Sequence, residues 1–589
     1  MIAKMSKVYV VTRKDDRDRL LDALRDLGAV HLAPVDPGRA VADEQTLTAI
    51  ADLDRAMQLV AGVEGAGAAP DLSPIEAARE TLQIHRESGE RRGRLAALHR
   101  QLEQLSIWGD VKLDQFAQLR QAGIDVRFFA VPAKALAEIR AECVQVVGER
   151  PGKRLLAAVI DRTGAFQTPE SAKPVELPTK DRPSIRAEAA QIDAALKKDA
   201  HRLSQLASLV DRMRGERNRL AGKAQYTIAQ RGGLAEAELF ALQGWTPEDE
   251  AVTLAGRLAA AGPAAAVHRM PPAEDEQPPT LIRYPKWASP VAGLFNVLGI
   301  APGYREHDVS SAFMIALPIF AAILISDAGY GLLFMLAPIV FRRQVESKIG
   351  RDLKNLTVVI GALSVGWGII TGSFFGVNMA KLLTGHEPLI VVSQSDQSRE
   401  MLMRISFTIG AVHLSIAQLW KALVLFPRPN FLAKIGWAIF LWGMYGVVLM
   451  FTLNGPNVRE TPYIYLLLAG GALAILFASP SRNIPKMVGL GMAKFPLAAI
   501  GTFSDIMSYV RLMAVGLASS VLAGSFNELA TTAGAVLMVP ILIFGHGLSI
   551  GLCMIALFAH GVRLNVLEFS NNFGMEWAGY PYSPFGRKH

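Results

Sequence analysis

The chain has 589 residues, is 51% apolar with a mean hydropathy of +0.26, and carries a formal charge of +8. Such hydropathy excludes an ordinary soluble protein, and the basic residues fall mainly on loops beside apolar segments, which favours a topological role over a nucleic-acid patch. Its two cysteines, Cys143 and Cys553, fall in an α/β-like region and an apolar span, which excludes a disulfide framework.

The opening MIAKMSKVYVV has too short an apolar run for a signal peptide and reads as a β-strand opening a cytoplasmic domain. Residues 1–35 then alternate strand, helix and strand, as a small βαβ unit. From about 44 to 107 the pattern is charged and helical, without strand punctuation, and predicts a long helix. Residues 108–165 return to α/β signals, with strands at DVRFFAVP, CVQVVGE and RLLAAVIDR around a helical stretch AKALAEIRAE. A second long helix is predicted from about 183 to 231. Strand ELFALQGWTP, helix EDEAVTLAGRLAAAG and strand AAAVHRM follow and can complete the first unit.

The expected N-terminal half is a cytoplasmic dumbbell over 1–285. One lobe is formed by 1–40 with 233–272, an antiparallel coiled coil by 43–107 with 183–231, and a distal lobe by 108–182. Residues 286–307 are expected to be a linker with an interfacial segment, WASPVAGLFNVLGI.

From 308 to 589 apolar segments dominate, at 309–341, 356–377, 402–425, 432–453, 463–479, 496–532 and 535–575. A bilayer core takes about 20 helical residues. The first segment is interrupted at Ser326-Asp327-Ala328-Gly329-Tyr330-Gly331 and is either one long helix or two short ones. Loop charge decides between them. With a hairpin there, loops 342–355, 427–434, 480–495 and the tail share one side and hold twelve Lys and Arg, against three in 378–403 and 454–462. The positive-inside rule then favours about eight transmembrane helices with both termini cytoplasmic. Asp327 fits a helix-hairpin turn better than a proton carrier.

Two arginines stand out. Arg511 and Arg563 lie in the two longest apolar segments, which implies strong tilt or extension beyond the bilayer. An arginine at membrane depth costs about 2.5–3.5 kcal/mol on insertion scales, so it ordinarily faces a polar interior. A structural ion pair or snorkelling is the plain alternative. A 3.5-residue step through Arg563 picks out Ser549, Cys553, Ala556, His560, Leu567 and Asn571, a mainly small and polar stripe. The same step from Arg511 picks out Ser504, Ser508, Val515, Ala518 and Leu522. For the small residues, close helix packing is the plain reading.

SYVRLMAVGLA, FAHGVRLNVLEFSNNF and the terminal YPYSPF resemble the C-terminal part of subunit a, also called subunit I, of the rotary V/A-type ATPases. GWTP at 244–247, PPTLIRYP, DAGYGLLF at 327–334 and TGSFFG at 371–376 match in family order. The resemblance implies a stator subunit whose dumbbell links peripheral stalks to the membrane and whose last two helices face a ring of c subunits, each with a membrane-embedded carboxylate. Arg511 would be the cation that lowers that carboxylate's proton or sodium affinity, and arginine suits this because it stays protonated. Its counter-ion is then expected outside this polypeptide. Arg563 would be the second rotor-facing cation, with His560 ordering it or bordering an aqueous path.

The family mechanism also needs two offset half-channels. Candidates on the outer side are Glu528, Asn527, His546 and Ser549. Candidates on the cytoplasmic side are Asp505, Ser504, Ser508, Glu568 and Asn571. Cys553 stands where eukaryotic members have a glutamate and Ser549 where many prokaryotic members have an asparagine, so the outer lining is expected to differ, through Glu528 and His546. The implied partners are the c-ring, the peripheral stalk subunits, membrane lipids and, indirectly, the central and catalytic subunits, in a bacterial or archaeal-type plasma membrane. No cofactor, metal or nucleic acid is implied. The chain has no phosphate-binding G-x-x-x-x-G-K-[ST] loop, metal-ligand cluster or nucleophile elbow, so ATP turnover would reside in other subunits. Two other classes are a self-contained secondary transporter, which would show an inverted repeat, and a coiled-coil membrane tether, which leaves both arginines unexplained.

Overall fold

The computed structural model describes all residues except 67–68, 109, 111, 151–153, 163–165, 481–482 and 587–589. Three of the basic residues counted above, Arg482, Arg587 and Lys588, therefore lie outside the described residues. The chain is mostly helical and divides into two compact units. One comprises Met1–Tyr9, Gly244–Ala255 and Val267–Pro584, the other Val10–Gln243, Gly256–Ala266 and the residues from Phe585.

In the smaller unit the alternation of MSKVYVVTR makes a strand, β1 (Met5–Arg13), that buries Val8, Val10 and Thr12 on one face and begins in the other unit, where Met5 is also buried. Helix α1 (Arg17–Leu27) buries Leu20, Leu21 and Leu24 and stops at Gly28, whose φ of 57° permits the left-handed cap that returns its N–H to the Leu24 carbonyl. Strand β2 (His31–Ala33) follows.

The expected single helix over 44–107 is two, α2 (Glu44–Val60) and α3 (Pro74–Gln104). The break falls on a Gly- and Pro-rich stretch, and α3 restarts on a capping box in which Ser73 and Glu76 satisfy each other's end groups, with Pro74 in the first turn. Helix α4 (Leu113–Gln121) and strands β3 (Val126–Pro132), β4 (Cys143–Arg150), β5 (Arg154–Ile160) and β6 (Lys173–Val175) form a second, antiparallel sheet of order β4-β5-β3-β6. The predicted helix between β3 and β4 is only a 3₁₀ turn at Ala133–Glu138, because Ala135 and Ile139 are drawn under the sheet against Phe129, Val131 and Val159.

The second predicted long helix is likewise interrupted, as α5 (Arg182–Ala207) and α6 (Val210–Gly232), with Leu209 buried at the break. α3 runs antiparallel to α5, with Arg202 on Glu80 at 2.7 Å, Arg91 on Asp199, and Arg94 on Glu188 at 2.5 Å. α2 is tied to α6 by Arg217 on Asp54 at 3.0 Å. Exposed pairs of this kind add little each, and the buried Leu53, Ala77, Leu206 and Met213 hold the bundle. Strands β7 (Leu234–Glu236) and β8 (Leu239–Pro247), helix α7 (Glu248–Ala260) and strand β9 (Ala265–Met270) complete the first sheet, of order β2-β8-β1-β9 with β7 on β8.

In the larger unit, the proline-rich 271–285 is anchored by Lys7 on Glu276, a contact that raises the lysine's pKa and lowers the glutamate's. Helix α8 (Pro290–Leu298) buries Val291, Leu294 and Phe295. The interrupted first apolar segment is two helices, α9 (Ser310–Ile325) and α10 (Ala328–Val340), with Ser326 left-handed at φ 52° between them. Then come α11 (Arg342–Ile349), α12 (Arg351–Thr371), the two-residue hairpin β10 (Ser373–Phe374) and β11 (Val377–Asn378), and α13 (Met379–Thr384). They are followed by α14 (Asp396–Leu425), α15 (Asn430–Leu453), α16 (Tyr463–Phe477), α17 (Ile484–Met507), α18 (Val510–Thr532) and α19 (Ala535–Phe573).

Among the described residues five helices are long and apolar enough to cross a membrane: α12, α14, α15, the nearly continuous α17–α18 and α19. α9, α10 and α16 are apolar but shorter. Small residues let these rods approach. Gly516 of α18 meets α9 so closely that an added Cβ would stand 2.4 Å from the Ile323 carbonyl oxygen, whereas one on Gly524 would meet only Gly376 O at 3.7 Å. Gly516→Ala should therefore cost about 1–3 kcal/mol by overpacking. A thermal-unfolding midpoint that falls for Gly516→Ala but not for Gly524→Ala is the expected result, and equal midpoints would remove the close approach from this account.

Candidate functional site: two polar clusters along the last helix pair

α18 and α19 are joined by a turn at Ala533–Gly534 and run antiparallel, so residues early in α18 face residues late in α19. At that end Arg511 Nη1 donates to Glu568 Oε1 at 3.2 Å, and Arg563 Nε lies 3.7 Å from the same oxygen. Glu568 is 4% exposed, while the arginine side chains are 26% and 50% exposed. One buried carboxylate is thus shared by two cations whose side chains stay partly exposed. Arg511 therefore does have a counter-ion inside the chain, contrary to the expectation from sequence. The pair spans 57 residues in sequence, and no periodicity argument connects residues that far apart.

The network continues behind this pair. Asn572 Nδ2 donates to Asp505 Oδ2 at 2.7 Å and to the Glu568 carbonyl at 2.8 Å, and Gln418 of α14 donates to Asn572 Oδ1 at 2.9 Å. Glu568 Oε2 has no hydrogen-bond partner among the described residues. His413 of α14 shares a 2.7 Å hydrogen bond with the Tyr509 hydroxyl and stacks on Phe569 at 4.6 Å between centroids. Of the candidates for this end, Asp505 and Glu568 join the network. Ser508 turns back to the Ser504 carbonyl at 3.0 Å, Ser504 is exposed, and Asn571 is exposed while its neighbour Asn572 takes the internal role.

At the opposite end a second cluster forms. His546 Nδ1 and the Tyr330 hydroxyl are 2.8 Å apart, and the imidazole meets Phe375 edge-on. Ser549, buried, donates to the Gly545 carbonyl at 2.9 Å, and Cys553 lies 3.7 Å from Ser519 Oγ. Asn527 donates to the Phe375 carbonyl at 2.7 Å, and Glu528 is exposed. Arg511 and Asn527 are sixteen residues apart, about 24 Å of helix.

Asp327 underlies the second cluster. Its Oδ1 accepts from the Tyr330 and Phe375 N–H groups at 3.0 and 2.9 Å, and its Oδ2 from Ser373 Oγ and the Gly376 N–H at 2.7 and 2.9 Å. With its oxygens so engaged at 1% exposure it caps α10 and pins the 373–378 hairpin, in line with the turn role expected of it.

The stripe through Arg563 does not survive as one face. Ser549, Cys553 and Ala556 are buried, whereas Arg563, Leu567 and Asn571 are exposed and His560 is half-buried. The cause is local: α19 widens to π-helix at Leu557–Gly561 and at Leu564–Phe569, and each wide turn shifts the register, so a constant step leaves its starting face. The widening also turns Asn565 and Glu568 inward; Asn565 Nδ2 donates to the Gly561 carbonyl at 3.1 Å.

Sequence reasoning missed Gln418, Asn572, His413, Tyr509 and Tyr330. A glutamine and a histidine inside the apolar run of α14 were the available signal, since polar side chains at membrane depth need partners.

No family model matches the chain. Curated relatives do. The V-type ATP synthase subunit I of Borreliella burgdorferi is 27% identical over 620 residues, covering 99% of both chains. V-type ATP synthase subunit I 1 of Treponema pallidum is 28% identical over 634 residues, covering 99% of this chain and all of the relative. The A-type ATP synthase subunit I of Archaeoglobus fulgidus is 26% identical over 374 residues, 53% of this chain and 54% of that one. Along 99% of its length, then, the chain is a homologue of proteins named V-type ATP synthase subunit I, as its motifs led one to expect.

Proposed function

We propose that this protein is the ion-translocating stator subunit of a V/A-type rotary ATPase, working against a ring of c subunits. The observation that carries the reading is the shared carboxylate: Arg511 and Arg563 converge on Glu568 from opposite helices while keeping part of each guanidinium at the surface. A ring carboxylate arriving in an apolar interface as the neutral acid or ion-bound form would meet two fixed cations there. Its affinity for H⁺ or Na⁺ would fall, and the ion would leave. Glu568 would hold the cations in place between visits and spare them the cost of standing unpaired.

The two polar clusters would line the two half-channels. Asp505, Asn572 and Gln418, with Ser504, Ser508 and Asn571 at the mouth, would serve the cytoplasmic side. Tyr330, His546, Ser549 and Asn527, with Glu528 outside, would serve the other. His560 would border Arg563. The N-terminal half would form the cytoplasmic dumbbell that resists torque through peripheral stalks, and both termini would be cytoplasmic, with about eight passes. ATP turnover would occur in partner subunits.

The test is ATP-driven ion uptake by inverted membrane vesicles holding the intact complex, with and without sodium. Arg511→Ala is expected to abolish uptake while the complex still assembles. Wild-type uptake in that variant would sink the proposal.

A further inference from the structure

An apolar cavity of about 290 Å³ lies between α8, α9, α10, α12 and α19, lined among others by Leu294, Leu317, Leu356, Cys553, Met554 and Phe558. The lining offers almost no polar partner, which favours an apolar occupant over water. It opens outward where Ile349, Met554 and Phe558 are 44%, 39% and 39% exposed. Two of the lining helices, α12 and α19, are long and apolar enough to cross a bilayer, and an opening beside them faces acyl chains. At about 290 Å³ the space is roughly twice an engineered apolar cavity of about 150 Å³ that binds benzene, enough for a stretch of acyl chain.

Charge at the mouth identifies the other end of the occupant. Ile349 and Leu353 line the cavity, and the segment 342–354 that carries them has five basic and two acidic residues. Glu346 is taken by Arg342 at 3.1 Å and Lys354 at 2.7 Å. Arg343, Lys348 and Arg351 are exposed and have no ion-pair partner among the described residues. An apolar slot whose lining residues Ile349 and Leu353 stand on the same short segment as three unengaged cations has the two-part chemistry of a phospholipid with an anionic headgroup.

We propose that this slot binds one acyl chain of an anionic phospholipid, with its phosphate held by Arg343, Lys348 and Arg351. Chain burial supplies the affinity and the cations supply the headgroup preference. The slot touches the second polar cluster only at Cys553, shares no residue with the Arg511–Glu568 network, and its occupancy is read independently of ion translocation.

The experiment uses the full-length protein, purified from its native membranes into lipid nanodiscs. It is irradiated with phosphatidylglycerol or phosphatidylcholine carrying a diazirine on one acyl chain, and adducts are mapped by peptide mass spectrometry. Adducts at Leu353, Met554 or Phe558 are expected in at least fivefold higher yield with phosphatidylglycerol. R343Q/K348Q/R351Q should bring that yield down to the phosphatidylcholine level, and Met554→Trp, which fills the slot, should abolish slot adducts while Met554→Leu keeps them. Equal yields from the two probes in the wild type, adducts spread over outward residues such as Leu423 and Phe451 without enrichment at the slot, or an unaltered triple variant would each overturn the proposal.

Discussion

Glu568→Gln should reduce ATP-driven ion uptake at least tenfold and lower the thermal-unfolding midpoint. Glutamine keeps the shape and still offers Arg511 a carbonyl oxygen at the place where Oε1 now accepts at 3.2 Å. What it removes is the negative charge that two guanidiniums share. Two cations sharing one carboxylate repel each other once it is neutral, and because their side chains are 26% and 50% exposed the cost lies below the ~3–5 kcal/mol of a fully buried pair, nearer the ~1.5–3 kcal/mol of a hydrogen bond to a charged group. That exceeds the roughly 1.4 kcal/mol that makes a tenfold change.

The partial exposure of the arginines shapes the rest of the result. Solvent and headgroups can take up some of the strain, so the complex should still form, with ATP hydrolysis continuing and uptake lost. The discriminating measurement is a cycle of Arg511→Ala, Glu568→Gln and the double variant, read by uptake and by midpoint. If Glu568 acts through Arg511, the double variant is no worse than Arg511→Ala alone and recovers part of the stability lost in Glu568→Gln. Wild-type uptake in Glu568→Gln, or strictly additive losses, would show that the carboxylate does not position the cations.

Much of this arrangement was legible in the sequence, for identifiable reasons. Arg511 and Arg563 stood out because a charge in an apolar run is rare whatever surrounds it. The break at Ser326-Asp327 and the longer strands of both sheets were carried by local chemistry, a capping residue before glycines and a period-two alternation, whereas the three-residue β6 and β7 are too short to show one. Three things were not legible. The π-helical turns of α19 leave no compositional mark, yet they decide that Glu568 points inward and Leu567 outward. The partnership of Gln418 with Asn572 bridges 154 residues and exists only once α14 lies beside the end of α19. The interruption at Leu209 is hidden because charged helical composition continues on both sides, whereas the one between α2 and α3 is marked in the sequence by its glycines and Pro70. The family role places the counter-ion of Arg511 in another subunit, whereas the nearer carboxylate is this chain's own Glu568, whose place in the sequence suggests channel lining.

Asp327→Ala is expected to be the most destabilising single substitution in the membrane unit. Three backbone N–H groups, of Tyr330, Phe375 and Gly376, and the Ser373 hydroxyl all end on this one carboxylate. Each buried donor left without an acceptor costs about 1–3 kcal/mol, so the sum is several kcal/mol, comparable to the whole stability of many proteins. The damage should spread, because the hairpin that Asp327 pins supplies the Phe375 carbonyl to Asn527 and the Phe375 ring to Tyr330 and His546. Asp327→Asn should be nearly as harmful, since one of its two polar atoms becomes a donor facing donors. Yield and thermal midpoint in detergent are the readouts, and both should fall for both variants. The alternative, in which Asp327 carries protons, predicts instead that Asp327→Asn folds with a wild-type midpoint and loses only ion uptake. That outcome would move Asp327 from the scaffold into the path itself.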